Sequence, residues 1–235
     1  MKKTMQPAAG IKVKVILNGP YKVTGDVPLR LETIGTTVHK ESEKWIPGKS
    51  FPATEQPFYL CRCGHSKNKP FCDSTHKTIH FDGTETAGHI PYVEAADIME
   101  GPDMLLTDVQ GLCAFARFCD PNGQVWNMVN DTDDPAVHAQ FIKQVGACPS
   151  GRLVAWDKAT KTPIEPELKP AIGIIEDPSK GVSGPLWLQG GIEITGADGV
   201  PYEVRNRVTL CRCGASANKP FCDGSHASIG FKDGL

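Results

Sequence analysis

The chain has 235 residues, more than one typical domain, with 40% hydrophobic and 7% aromatic residues, 24 glycines and 19 prolines. Its net charge of -2 gives no electrostatic reason to expect nucleic acid or an anionic membrane surface as a partner. No apolar run approaches the roughly 20 residues of a spanning helix. The basic start Met1-Lys2-Lys3-Thr4 lacks the apolar stretch of a secretory signal, so a soluble cytoplasmic protein is expected.

This much glycine and proline predicts short elements joined by turns. Residues 11–17 are β-branched and partly alternating, which predicts a strand, and Asn18-Gly19-Pro20 marks a turn. Tyr21 to Leu31 reads as a further hairpin interrupted at Thr24-Gly25-Asp26. Residues 33–57 are polar and read as a loop, ending in a short strand at Phe58-Tyr59-Leu60. A short helix is expected over Ala95 to Met99 and another over Val109 to Phe118. Strands are expected over Val125 to Val129 and Leu153 to Trp156. Asp134 is a good N-cap with Pro135 at the first helical position. Val137, Phe141, Ile142 and Val145 then follow at helical spacing up to Gly146. Residues 157–183, with their prolines and glycine turns, read as containing a linker. Ile192-Glu193-Ile194 and Tyr202 to Leu210 are strand-like.

Nine cysteines are present, an odd number that cannot pair completely into internal disulfides. A reducing compartment makes metal the better use of so many thiols. The cysteines fall into three groups, at 61/63/72, 113/119/148 and 211/213/222. The first and third groups lie in a repeated stretch. Residues 61–76 and 211–226 are identical at 12 of 16 positions. Each follows C-x-C-x8-C-x3-H, with Cys61, Cys63, Cys72 and His76 in one copy and Cys211, Cys213, Cys222 and His226 in the other. The surroundings repeat as well. Gly184-Pro185-Leu186 echoes Gly19-Pro20-Tyr21, and an x-x-Ile-x-Phe pattern follows each histidine. A duplicated β-rich unit is expected, with two lobes facing each other about a pseudo-two-fold; two independent units are the alternative.

Three thiolates and one imidazole form a soft donor set that zinc accepts, although structural zinc ordinarily uses C-x2–4-C knuckles. A binuclear [2Fe–2S] cluster needs two ligands per iron, and Cys/Cys plus Cys/His fits that division. Histidine in place of cysteine raises the reduction potential. It also adds a ligand that binds only when neutral.

Both motifs resemble the CDGSH iron–sulfur (mitoNEET-like) family, whose pattern is C-x-C-x2-[ST]-x3-P-x-C-D-G-[SAT]-H. The second copy meets every position, including Ser216, Pro220 and Asp223-Gly224-Ser225, and the first departs only at Ser74. The resemblance implies two [2Fe–2S] clusters with three Cys and one His each, in β-rich proteins that carry electrons or transfer clusters. The supporting residues have local reasons. Asp73 and Asp223 can cap the short helix bearing the histidine, and Pro70 and Pro220 fix the turn before the third cysteine. Lys69 and Lys219 either donate to the cluster or are simply solvated. Arg62 and Arg212, between ligands, should point away from the metal. If Gly224 has a positive φ, Ser74 is strained at the same place.

The middle group is a weaker signal. Cys113 and Cys119, with Ala116 between them, and Cys148-Pro149 resemble divergent single-cluster ferredoxins. Three cysteines suit a [3Fe–4S] cluster, or a [4Fe–4S] cluster with a non-protein ligand; a ferredoxin-like fold with buried thiols is the alternative. Other constellations are bland. Asp131 to Asp134 reads as a capping loop. His39, His80, His89 and His138 lack partners at metal spacing. Trp45, Trp126, Trp156 and Trp187 read as core residues.

The expected fold is therefore mostly β with small α+β parts. It comprises an N-terminal CDGSH lobe (1–90), a ferredoxin-like α+β module (91–160), and a linker with a C-terminal CDGSH lobe (161–235). The expected function is electron transfer without a catalytic site. Delivery of [2Fe–2S] clusters to acceptor proteins is the alternative, and a zinc scaffold comes third. The expected partners are redox or apo-iron–sulfur proteins, and the expected state is a monomer with an internal pseudo-dimer.

Overall fold

The computed structural model describes residues 5–53 and 55–235; the basic start at residues 1–4 lies outside the described residues. In chain order the strands are β1 (Lys12–Val15), β2 (Tyr21–Thr24), β3 (Leu29–Thr36), β4 (Ser42–Ser50), β5 (Phe58–Leu60), β6 (Asp97–Glu100), β7 (Met104–Asp108), β8 (Leu153–Asp157), β9 (Pro163–Ile164), β10 (Ala171–Asp177), β11 (Val182–Gln189), β12 (Glu193–Thr195) and β13 (Arg207–Leu210). The helices are α1 (Thr75–Thr78), α2 (Tyr92–Ala95), α3 (Val125–Met128), α4 (Pro135–Gly146) and α5 (Ser225–Ser228). The protein is mostly β, as its composition implied.

The strands form three sheets, ordered β12-β1-β2-β5, β13-β11-β10-β3-β4 and β6-β7-β8-β9. The first two are each shared by both halves of the chain. β1 alternates Lys out and Val in, and Val13 and Val15 are fully buried. It pairs with β2 through the tight turn at Asn18 and, in parallel, with β12, where Lys12 meets Glu193 at 3.0 Å. β3 runs parallel to β10 in the five-stranded sheet. Neither sheet is thus built from one copy of the repeat alone.

The main core mixes the halves in the same way. Val13, Tyr21, Val23, Phe58 and Leu60 pack with Ile172, Ile174, Leu186, Ile194 and Leu210. Burying each large apolar side chain of this kind contributes about 1.5–3 kcal/mol. A second core lies between α3, α4 and the β7–β8 pair, holding Met104, Leu106, Phe141, Val145 and Leu153.

Several local expectations are corrected. Residues 33–57 contain the nine-residue β4, whose polar, Pro- and Gly-containing sequence masks it. It is an edge strand bonded only to β3, where an exposed Pro47 is tolerated. β2 and β3 do not form one hairpin; they enter different sheets. The stretch read as a linker holds β10, an interior strand whose Ala171–Ile175 run is wholly buried and therefore unbroken by polar alternation. Ala95 to Met99 is split between the end of α2 and β6, and Val109 to Phe118 holds only a 3₁₀ turn at Gln110–Leu112. Val125 to Val129 is not a strand: α3 occupies Val125–Met128 and a 3₁₀ turn begins at Val129. There, burial of Val125 and Met128 one turn apart outweighs β-branching. α4 forms where expected, with Asp134 accepting from the Ala136 and Val137 amides at 2.7 and 3.2 Å.

Candidate metal centres

Each repeated motif leaves the end of a strand, β5 in the first copy and β13 in the second, and closes with a four-residue helix, α1 or α5. The loop between is held by the same backbone bonds in both. Cys61 N donates to Pro70 O (2.8 Å) and Cys211 N to Pro220 O (2.9 Å). Cys72 N donates to Tyr59 O (2.9 Å) and Cys222 N to Thr209 O (3.0 Å). These ties return the third cysteine to the strand that launched the first. The Ser66 and Ser216 hydroxyls donate to Phe71 O and Phe221 O at 2.6 and 2.7 Å and accept from the Asn68 and Asn218 amides.

The ligands come together in pairs. Cys61 Sγ lies 3.8 Å from Cys63 Sγ, and Cys211 Sγ lies 3.6 Å from Cys213 Sγ. Cys72 Sγ lies 3.3 Å from His76 Nδ1, and Cys222 Sγ lies 3.4 Å from His226 Nδ1. Two thiolates on one tetrahedral metal, with bonds of about 2.3 Å, sit about 3.8 Å apart, and a thiolate and an imidazole about 3.6 Å apart. The pairs fit those separations in both copies. Backbone amides already point at sulfur: Ser74 N and Gly224 N each approach the preceding cysteine Sγ at 3.4 Å.

The thiols differ electrostatically. Hydrogen bonding with Cys63 holds Cys61 down to about 6, and Cys213 does the same for Cys211. Burial raises Cys72 and Cys222. Burial lowers both histidines, and with Arg212 nearby it brings His226 to about 4, favouring the neutral imidazole that a metal requires.

Asp73 and Asp223 brace the loop from a place one residue earlier than expected. The N-cap positions are Ser74 and Gly224. Asp73 accepts from the Thr75 and Lys67 amides at 2.9 and 2.8 Å, and Asp223 from the Ser225 and Ala217 amides at 3.0 and 2.8 Å. Ser74 has φ +70° and Gly224 φ +89°, so Ser74 holds the left-handed conformation that glycine takes in the second copy. Both Lys-Pro bonds, at Pro70 and Pro220, are cis. Lys219 Nζ donates to Ser216 O at 2.8 Å and so serves its own loop, while Lys69 is half-exposed. Arg62 and Arg212 are buried and turn to backbone carbonyls, Arg62 to Ile16 and Gly83, Arg212 to Gly184 and Ile175.

The two motifs touch through their C-x-C bends. Cys63 and Cys213 form an antiparallel bridge. A Cβ on Gly64 would lie 2.6 Å from Cys213 O, and one on Gly214 would lie 2.8 Å from Cys63 O, both at positive φ. The sequence reading missed this reciprocal contact, and it missed Tyr21. The Tyr21 hydroxyl donates across the molecule to Cys211 O and Pro220 O at 2.7 and 3.0 Å. Its signal was the Tyr/Leu difference between Gly19-Pro20-Tyr21 and Gly184-Pro185-Leu186.

The middle cysteines occupy two loops. Cys113 follows the 3₁₀ turn, and Cys119 and Cys148 both pack half-buried against the α3/α4/β8 core. Burial raises the Cys119 thiol, and charge on Asp120, Cys148 and Cys113 pushes the same way.

Paired soft donors in two sites define a metal-binding protein. The comparisons agree: a family model described as an iron-binding zinc finger of CDGSH type matches residues 18–77 and 183–227. A model described as a divergent 4Fe-4S mono-cluster matches residues 99–158. Two CDGSH-type iron-binding matches thus flank a divergent 4Fe-4S mono-cluster match within the chain, and together they support an iron–sulfur protein. No curated protein and no solved structure matches it.

Proposed function

We propose that the chain binds two [2Fe–2S] clusters, Cys61, Cys63, Cys72 and His76 holding one and Cys211, Cys213, Cys222 and His226 the other, and that it transfers electrons. The observation that carries this reading is the division of each ligand set into a Cys/Cys pair and a Cys/His pair, two donors for each of two irons. Among the described residues no three His, Cys, Asp or Glu side chains converge on a single ion position, whereas one zinc would need four ligands around one point. When bound, such clusters supply one-electron chemistry at a potential raised by the histidine. The chain's own residues set the terms: burial keeps His226 neutral, the Ser74 and Gly224 amides stabilise charge on sulfur, and the Asp73 and Asp223 braces fix the loops. No nucleophile or acid–base pair joins these ligands, which favours a carrier over an enzyme.

The strand exchange and the reciprocal Gly64/Gly214 contact support a pseudo-two-fold arrangement of the CDGSH units, an internal pseudo-dimer in one chain. The mono-cluster match supports a ferredoxin-like middle module with Cys113, Cys119 and Cys148 as ligands of a [3Fe–4S] or [4Fe–4S] cluster. Among the described residues no helix is long and apolar enough to cross a membrane, and nine free cysteines fit a reducing compartment such as the cytoplasm. The second reading, cluster delivery to an acceptor protein, is favoured by one observation: Cys72 and His76 are half-buried, where Cys222 and His226 are 3% and 4% exposed. The visible and EPR spectra of protein purified without oxygen test the proposal. Charge-transfer bands and a rhombic signal on reduction are expected; a colourless protein carrying two zincs would refute it. Loss of colour as an apo-ferredoxin gains it, without reversible reduction, would favour delivery.

A further inference from the structure

The two CDGSH motifs carry the same four ligands, but the middle segment contacts them unequally. Its loop lies on the second site. Asn218 Nδ2, inside the second motif, donates to Gly111 O at 3.0 Å. A Cβ on Gly224 would meet Cys113 O at 3.2 Å and Phe115 Cβ at 3.6 Å. This bears on one of the four differences between the copies, Ser74 against Gly224. Gly224 lies under the Cys113 loop, where an added side chain would press on Cys113 O, while its counterpart Ser74 is exposed.

Both cysteine loops of the middle segment are also clamped to the five-stranded sheet that carries β13 into the second motif. In the first loop Phe115 and Arg117 have φ +54° and +59°. Such non-glycine residues persist only where the surroundings over-determine them. Here the Ser42 hydroxyl donates to Ala116 O at 2.8 Å, and Arg117 pairs with Asp177 of β10 at 2.6 Å. The second loop is held by Arg207 of β13, which is fully buried, pairs with Glu165 at 2.7 Å, and donates to Val145 O and Cys148 O at 2.8 and 2.7 Å. Trp45 Nε1 adds a bond to Ala147 O at 3.1 Å.

We propose that the middle cluster is docked on the second CDGSH site and exchanges electrons with it, leaving the first site to face an outside partner. The proposal rests on the iron–sulfur reading above. In the exchange, an electron given to the middle cluster by an external one-electron donor would pass to the second CDGSH cluster; the middle cluster is reoxidised as it loses the electron that reduces the second, and no bond or proton moves. Arg207 and Arg117 act as positioning residues that hold the two loops against the sheet.

The test is the microwave-power saturation of the EPR signals of the full chain, reduced with dithionite. A nearby paramagnet speeds relaxation. Cys72→Ser, which removes the first cluster, is expected to keep a fast-relaxing [2Fe–2S] signal. Cys222→Ser, which removes the second, is expected to leave a slow-relaxing one. Removing the middle cluster by Cys119→Ser with Cys148→Ser in the Cys72→Ser background, where the first cluster cannot contribute, is expected to abolish the enhancement while the second CDGSH signal persists. Should these variants misfold, Arg207→Lys, which keeps the charge but loosens the clamp, weakens the enhancement in the intact ligand set. Enhancement confined to the first site, or surviving loss of the middle cysteines, overturns the proposal. So does an iron count showing the two CDGSH clusters only, an outcome that leaves the CDGSH reading standing; zinc in both motifs would remove that reading too.

Discussion

Gly64→Ala probes the contact between the two CDGSH motifs. Gly64 has φ +81°, and a Cβ there would sit 2.6 Å from Cys213 O, well inside van der Waals contact. The left-handed conformation costs a non-glycine residue about 1–2 kcal/mol, and overpacking against a backbone atom adds about 1–3 kcal/mol. Gly10→Ala is the control. Its φ is +74° and nothing lies within 4 Å of the added carbon, so it carries the conformational penalty alone. Gly64→Ala is therefore expected to destabilise the protein by about 1–3 kcal/mol more than Gly10→Ala, roughly 5- to 150-fold in the unfolding equilibrium. Urea unfolding followed by circular dichroism, with cluster absorbance recorded in parallel, reads the difference. Because the carbonyl struck belongs to a ligand of the other site, both clusters should loosen. Equal midpoints for the two variants would refute the back-to-back arrangement.

Acid should separate the sites. Burial lowers both histidines, and His226, with Arg212 beside it, reaches about 4 from 6.5. A depressed imidazole contributes stability that is present above about 6.5 and lost as pH falls toward its folded value. Cluster absorbance of the half-exposed first site should therefore bleach at higher pH than that of the second, read in Cys222→Ser and Cys72→Ser respectively. The reverse order would show that burial of His226 does not protect it. Tyr21→Phe removes the one O–H donor that Cys211 O and Pro220 O share in the second motif, a hydrogen bond worth about 0.5–1.5 kcal/mol. It should speed cluster loss from the second site and leave the first unchanged; equal effects would contradict the cross-copy brace.

The metal centres were legible because ligand chemistry is local. Sixteen residues contain all four donors, and the loop that gathers them closes on its own strand through Cys61, Pro70, Tyr59 and Cys72. The braces were less legible: Asp73 and Asp223 were recognised as caps, but Ser74 and Gly224 occupy the cap position. What stayed hidden was long-range. β4 looks like a loop because an edge strand bears Pro47 and charged residues without loss, and β10 looks like a linker because burial on both faces erases the alternation that marks strands. Tyr21 bonding to Cys211, 190 residues away, leaves no periodic trace. Nor does the docking of Cys113 on Gly224, except as the Ser74/Gly224 difference, one of four between the two motifs.

The central claim is that each CDGSH site divides its ligands two and two between a pair of irons. Mössbauer spectroscopy of iron-57-enriched protein, oxidised and lacking Cys119 and Cys148, tests it most directly. The account predicts two iron environments in equal amounts, one with two thiolates and one with a thiolate and an imidazole. A single environment, or motifs that exclude iron and retain zinc, would contradict it.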